Sequence, residues 1–236
     1  MNVRAFLLDI EGTTTPISFV HEVLFSYARR ELTTFLSKHS NSQEVVDDLA
    51  RLRDEHAADL AEGRHPRSVS EGDVADYIYW LIDRDRKSPA LKSLQGKIWQ
   101  QGYADGSLKA PVFEDVRRAL KRWHDTGINV SIFSSGSVLA QKLLFAHTDA
   151  GDLTGFISSY FDTKVGKKVD EESYRRIAGE LAIPANEIHF VSDVVAELDA
   201  ASDAGMITSL CVRPGNDLTQ VNSQHNTIKS FDEILT

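Results

Sequence analysis

The sequence predicts an α/β protein: a doubly wound, mostly parallel sheet with an inserted helical cap domain. Three observations carry that expectation. Short apolar runs ending in polar or glycine-bearing turns recur along the chain, with the length and composition of buried parallel strands. Over the second half, segments with apolar residues at helical spacing alternate with them, as crossover helices do. Between the first apolar run and the second, residues 17 to 109 carry helical patterns only, where an ordinary crossover carries one helix.

The first strand is Ala5 to Leu8, ending at Asp9 and entering a Gly/Thr/Pro cluster. In the insertion, Val20, Val23, Leu24, Tyr27, Leu32, Phe35 and Leu36 make one apolar stripe. Asn41 and Glu44 have the spacing of a capping box, opening a second helix through Leu49, Leu52 and Leu60. Ser70 and Asp73 open a third, with Val74, Tyr77, Ile78 and Leu81 inward. Ser88-Pro89 opens a fourth, with Leu91, Leu94, Ile98 and Trp99 inward; proline suits the first helical position because its missing N–H has no partner there to lose. Val112, Val116, Leu120 and Trp123 precede the turn Asp125-Thr126-Gly127 and a second strand, Ile128 to Phe133, ending in Ser134-Ser135-Gly136. Val138, Leu139 and Leu143 mark the next helix. Tyr174, Ile177, Ala178 and Leu181 mark the helix before a third strand, Ile188 to Ser192, which ends at Asp193. A helix from Val195 to Ala204 leads to a fourth strand, Met206 to Val212, and the turn Arg213-Pro214-Gly215-Asn216. The polar tail ends in Phe231, Ile234 and Leu235 and reads as loosely docked. The chain thus divides into an α/β core of residues 1–16 and 110–236 and a helical cap of residues 17–109. An insertion straight after the first strand reads as a lid over the site.

With 236 residues, 42% hydrophobic and 26% charged, the composition is that of a soluble globular protein. A net charge of −9 argues against a nucleic-acid surface, which needs clustered Lys and Arg, and leaves room for a small phosphate ester. Cys211 is the only cysteine, so no intrachain disulfide forms, which suits a reducing compartment. The N-terminal apolar run is too short and too soon interrupted by charge for a signal peptide or membrane span. The expectation is a cytoplasmic protein without nucleic-acid or membrane partners; nothing in the pattern demands an oligomer, so a monomer is expected.

In doubly wound sheets ligands sit outside the carboxyl ends of the strands. Three such ends carry Asp9, Ser134/Ser135 and Asp193. Asp9 and Glu11 lie two apart on a loop, so both can face one site. In-line phosphoryl transfer puts attacking and leaving oxygens on opposite sides, so nucleophile and proton donor must be separate groups. Gly12 lets the loop turn. On its own this motif fits an acidic turn as well as a catalytic one. Ser134 and Ser135 offer hydroxyls and N–H groups at a helix start, an anion site or else an ordinary cap. Lys168, just before a helix, is the cation able to offset acid–phosphate repulsion, while Lys164 and Lys167 read as solvated. Asp193 suits Mg²⁺, which takes a few carboxylate and carbonyl oxygens plus water. Glu197, four residues on, fits either a water-mediated ligand or a helix-start carboxylate. His21 is a further candidate base, though it reads better as a surface histidine. Tyr77, Trp80 and Trp99 sit at helical spacing and read as cap core.

In this order and at these strand ends, the four motifs resemble those of the haloacid dehalogenase superfamily: nucleophile loop, Ser/Thr, Lys and acidic loop. One departure stands out. Most phosphatases of that superfamily carry Asp two residues after the nucleophile, where this chain has Glu11. The run Leu8-Asp9-Ile10-Glu11-Gly12-Thr13-Thr14-Thr15-Pro16-Ile17 instead resembles the enolase-phosphatase family of methionine salvage. So do Ser134-Ser135-Gly136-Ser137 with Gln141-Lys142-Leu143-Leu144-Phe145, Phe161-Asp162-Thr163-Lys164, and Val212-Arg213-Pro214-Gly215-Asn216. That resemblance implies a bifunctional, Mg²⁺-dependent enzyme. It would enolise 2,3-diketo-5-methylthiopentyl-1-phosphate and then remove the phosphate, through an aspartyl-phosphate, to give the acireductone 1,2-dihydroxy-3-keto-5-methylthiopentene. It further implies that Asp9 and Glu11 are catalytic, that Asp9, Glu11 and Asp193 belong to the Mg²⁺ site, and that Ser134, Ser135 and Lys168 hold the substrate. Two other readings share these residues. One is another Mg²⁺-dependent small-molecule phosphatase of the same superfamily. The other is a phosphoacceptor signalling module, which has no need of so long a helical insertion. A dehalogenase fits less well, because halide displacement has little use for the second carboxylate and the metal ligands.

Overall fold

A computed structural model describes residues 3–65, 74–84, 86, 88–216 and 224–234. Its strands are β1 (Ala5–Leu8), β2 (Asn129–Phe133), β3 (Ser159–Phe161), β4 (Ile188–Ser192), β5 (Ile207–Cys211) and β6 (Asn226–Ile228). They pair in the order β3-β2-β1-β4-β5-β6, and each of these ladders is parallel. The chain winds from β1 through β2 to β3, then returns to lay β4 on the other side of β1. The order therefore reverses between β1 and β4, and in open α/β sheets the crevice beyond such a reversal is where ligands bind. The strands β3 and β6, absent from the sequence reading, are edge strands of three residues each, too short to show a strand period.

The first unit comprises Met1–Val20 and Leu108–Thr236. Its helices, the last four of the chain's eight α-helices among the described residues, are α5 (Glu114–Asp125), α6 (Val138–Ala146), α7 (Glu171–Leu181) and α8 (Val195–Asp203). Every residue of β1 and β4 is buried, as strands covered on both faces require. Side chains alternate between faces. Leu7, Phe133 and Phe190 pack in one cluster with Tyr174 and Ile177 of α7 and Leu198 of α8. Phe6, one residue away from Leu7, instead stacks on Trp123 of α5 at 3.9 Å. In α6 the inward residues are Gln141, Leu144 and Phe145; Leu139, one of the residues that mark this helix in the sequence, is exposed.

The tail corrects the expectation of loose docking. Phe231 is fully buried and its ring lies 5.6 Å from Trp123. Buried Asp115, in the first turn of α5, accepts from the Phe231 N–H at 2.5 Å and the Ser230 hydroxyl at 3.2 Å. A buried carboxylate must be satisfied, and the tail supplies part of what satisfies it. Leu235, and the Ser70 and Asp73 helix start, lie outside the described residues.

The second unit is His21–Ser107, against boundaries of 17 and 109 drawn from the sequence. A π-helical segment, Phe19–Leu24, leads into α1 (Phe25–His39), followed by α2 (Gln43–Ala61), α3 (Ala75–Ile82) and α4 (Pro89–Ala104). Val23 is exposed, because the wider winding of that segment rotates it out of the stripe. The Asn41/Glu44 capping box does not form: α2 starts from Ser42, whose carbonyl accepts from Val45 and Val46 at 3.0 and 2.9 Å. Ser88 does cap α4, accepting from the Leu91 N–H at 3.1 Å. Tyr77 and Trp99 are buried, donating to Asp59 and to the Leu24 carbonyl, each at 2.8 Å. Gly102 lets α4 approach α1, since a Cβ there would come within 2.5 Å of the Tyr27 ring. No helix among the described residues is long and apolar enough to cross a membrane.

Phe231→Ala should cost about 3–5 kcal/mol of unfolding free energy in denaturant titrations, as for a fully buried aromatic. A loss under about 1 kcal/mol, typical of a surface change, would mean the tail is loosely held after all.

Candidate active site

Asp9 leaves the carboxyl end of β1 beside the topological reversal. Its N–H donates to the Val191 carbonyl at 3.0 Å, carrying the β1–β4 ladder one step past the strand and fixing the backbone from which the carboxylate projects. The residue is 4% exposed. The loop beyond folds tightly on itself: the Ile10 carbonyl accepts from Thr14 and Thr15 at 3.0 and 2.9 Å, and the Gly12 N–H donates to Thr15 at 2.8 Å. Gly12 has φ +72°, and a Cβ there would run into the Asp193 carboxylate. Only glycine permits both the turn and that approach. The loops after β1 and β4 are thereby in contact, and Asp193 lies against the loop that bears Asp9 and Glu11.

Lys168 arrives from the loop before α7. Its carbonyl accepts from the Tyr174 hydroxyl at 2.6 Å, and that of Lys167 from the Ser173 hydroxyl at 2.7 Å, so α7 holds the loop on both sides. The Lys168 ammonium pairs with Asp9 and, at 2.6 Å, with Glu197. Burial opposes its charge, yet the two carboxylates outweigh burial and push its pKa up to about 12. Lys168 is therefore a permanent cation at neutral pH. Lys164 and Lys167 are exposed.

Glu197 stands in the first turn of α8, buried, and accepts from the Ser192 hydroxyl at 2.9 Å as well as from Lys168. Burial and the Asp9 charge push its carboxyl upward despite Lys168. The same causes, burial first and Asp9 second, raise Asp193 to about 7. One cation thus serves three carboxylates, those of Asp9, Asp193 and Glu197. With all groups ionised the cluster carries two negative charges in excess, and a divalent cation is what such a cluster lacks. Among the described residues no group of three or more His, Cys, Asp or Glu side chains forms a ready metal cage. Mg²⁺ asks for less, one or two carboxylates with carbonyls and water, and Asp9 with Asp193 fits that.

The profile of the haloacid dehalogenase-like hydrolases matches residues 3–205. An enolase-phosphatase E1 of Synechococcus elongatus is 48% identical over 236 residues, covering 99% of this chain and 98% of its own. One of Sorangium cellulosum is 47% identical over 231 residues, with 98% and 97% covered. The chain belongs to the haloacid dehalogenase-like hydrolases, in their enolase-phosphatase branch. Among solved structures, the UTR4 protein of Saccharomyces cerevisiae superposes with a TM-score of 0.83 at 35% identity, covering 99% of this chain and 100% of that one.

For a hydrolase of this family the remaining motif residues sit as follows. Leu8 pairs with Ile132 across the β1–β2 ladder, so Asp9 lies level with Phe133 and Ser134 follows one residue on. Ser134 is buried, and its hydroxyl accepts from the Gly136 N–H at 3.2 Å. Neither Ser134 nor Ser135 caps α6; Ser137 does, accepting from Ala140 at 3.3 Å. That leaves the Ser134–Gly136 turn outside the helix-capping role. Gln141 holds it, donating to Gly136 and Phe161 carbonyls, each at 2.8 Å. Glu11 is half-buried on the loop, bridged to Thr15. His21 falls in the helical unit, exposed, its ring edge-on to Phe25 at 5.8 Å. Two site features escaped the sequence reading: the pairing of Glu197 with Lys168 and the grip of Gln141. The first had a signal, an acid one helical turn beyond Asp193, without a means of telling its partner.

Asp193 ties the electrostatics to stability. Its folded value near 7 exceeds its ordinary 3.8. Between these values the unfolded chain releases a proton that the folded chain keeps, so rising pH destabilises the metal-free fold across that window. Asp193→Asn should therefore raise the unfolding temperature at pH 8 without metal, and should abolish any further rise on adding Mg²⁺. A lower unfolding temperature at pH 8, or an undiminished Mg²⁺ response, would contradict the assignment.

Proposed function

We propose that the chain converts 2,3-diketo-5-methylthiopentyl-1-phosphate to 1,2-dihydroxy-3-keto-5-methylthiopentene and phosphate in methionine salvage, with Asp9 as the nucleophile. The observation that carries the nucleophile assignment is the setting of Asp9. It is buried at the end of the central strand, beside the reversal of strand order, with its carboxylate paired to a cation that stays charged.

Dephosphorylation follows from that setting. An Asp9 carboxylate oxygen attacks phosphorus in line, forming an aspartyl-phosphate and expelling the substrate oxygen. Glu11, on the same loop, gives that oxygen its proton, then takes a proton from the water that cleaves the aspartyl-phosphate. Lys168 offsets the charge of the incoming phosphate, and Ser134 and Ser135, at the neighbouring strand end, hold its oxygens. Mg²⁺ belongs with Asp9, Glu11 and Asp193, and when bound it neutralises charge on the transferring oxygens. Enolisation moves a proton from the carbon beside a carbonyl and leaves negative charge on oxygen, which Lys168 is placed to stabilise. The longer side chain of Glu11, relative to Asp, makes it the candidate base for that step. The same reading makes this a cytoplasmic, monomeric enzyme whose partner is a small phosphate ester.

An assay with the diketone phosphate, following ultraviolet absorbance and phosphate together, should show an absorbing enol intermediate and Mg²⁺-dependent phosphate release. Asp9→Asn should abolish phosphate release, and Glu11→Gln should slow it by about 10²–10⁴-fold, the usual worth of a positioned acid. Full phosphate release by Asp9→Asn would sink the mechanism. Equal turnover of simple sugar phosphates would point to a general phosphatase instead.

A further inference from the structure

The turn Arg213-Pro214-Gly215-Asn216 has no part in the chemistry above, yet two of its side chains reach the loop that bears Asp9 and Glu11. The Asn216 side-chain amide donates to the Gly12 carbonyl at 2.9 Å and to the Cys211 carbonyl at 3.2 Å. Both partners are acceptors, so only the NH₂ side of that amide can face them. Arg213 Nε donates to the next carbonyl, that of Thr13, at 3.1 Å. The following one, on Thr14, accepts from the Phe113 N–H at 3.1 Å. Three consecutive carbonyls of the nucleophile loop are thus gripped from the core.

The grip is rigid because Arg213 is itself locked. The residue is 5% exposed, and its two terminal nitrogens form a fork onto Asp115, 2.9 Å each. A further bond runs to the Lys229 carbonyl at 3.0 Å, and the guanidinium lies between the rings of Phe113 and Phe231 at 4.6 and 4.8 Å. A bidentate, charge-assisted pair of this kind fixes direction as well as distance. From the first turn of α5 through Asp115 and Arg213, an unbroken chain of polar contacts ends on the loop.

We infer that Arg213 and Asn216 are positioning residues for phosphoryl transfer: they set the Gly12–Thr13 backbone so that Asp9 and Glu11 are presented in register to one phosphorus. This rests on the proposed function for its kinetic arm. Gly12 is where displacement has most effect, because it packs against the Asp193 carboxylate and follows Glu11 directly. A shift of the loop at Gly12 would move the proton donor on Glu11 relative to Asp9, whose backbone the β1–β4 ladder holds, leaving the phosphate-holding Ser134–Gly136 turn in place.

Asn216 is the residue to test. Removing Arg213 would strand Asp115 as a buried unpaired charge and threaten the fold, whereas Asn216 is half-buried in a turn. Asn216→Asp replaces only the donor NH₂ by an oxygen that repels both carbonyls. The expected result is a kcat about 10–100-fold lower, the scale of an ångström-sized misplacement of reacting groups, with KM for the phosphate ester changed little. Backbone amides of residues 9–15 should exchange hydrogen faster than in the wild type, a measurement that needs no substrate. Asn216→Ala, which removes the donor without adding charge, should show the same split. Arg118→Ala, which loses exposed pairs with Asp232 and Glu114, serves as the stability control and should keep wild-type kcat. A wild-type kcat in either folded Asn216 variant, unchanged exchange over residues 9–15, or an equal kcat loss in the control would overturn the inference. A wild-type protein that releases no phosphate would instead defeat the functional reading, and the exchange result would still decide this one.

Discussion

The ammonium of Lys168 stands between Asp9 and Glu197 with Asp193 close by, one buried cation among three carboxylates. In a low-dielectric setting such an arrangement survives only if the charges are held at fixed places and the excess is met by something further. The fold is arranged to do the first. The central strands β1 and β4 bring Asp9 and Asp193 to neighbouring ends, α7 holds the Lys168 loop through Ser173 and Tyr174, and the first turn of α8 supplies Glu197. Each carboxylate comes from a different position around the reversal of strand order, so none of the cluster survives if that topology is lost. The excess of negative charge is what suits the crevice to a divalent cation, and the fixed ammonium suits it to the oxygens of a phosphate.

Much of the fold was legible because its central strands are buried on both faces. Ala5–Leu8 and Ile188–Ser192 read as strands from near-continuous apolar runs, and they are the two that carry the site. The edge strands β3 and β6 were not legible: with three residues each they are too short to show a period, and their pairing with β2 and β5 is what makes them strands. Asn41 and Glu44 had the right spacing for a cap, but helix α2 begins one residue later, where the Ser42 carbonyl meets two N–H groups. Spacing alone does not decide which of two adjacent polar residues turns the chain.

The site shows the same boundary between what pattern conveys and what packing decides. Strand-end position was enough to single out Asp9, Ser134 and Asp193, since in a parallel sheet those ends share one rim. Partnership was not. Glu197 lay open between metal and helix start because its direction depends on how α8 leaves the loop after Asp193. The Phe231 tail looked loose because a lone aromatic in a polar stretch carries no periodicity; its burial depends on Asp115, more than a hundred residues away in sequence and therefore invisible to any local pattern. Contacts of that separation also join the Arg213–Asn216 turn to Gly12 and Thr13.

The claim on which everything else depends is that phosphate passes through a covalent bond to Asp9. Turnover can be stopped in acid, the trapped acyl phosphate reduced with borohydride, and the peptide bearing residue 9 weighed by mass spectrometry. The account predicts that residue 9, and no other, is converted from aspartate to homoserine, and only when substrate and Mg²⁺ are both present. Reduction at a different carboxylate, or an unmodified residue 9 in enzyme trapped during active phosphate release, would contradict it.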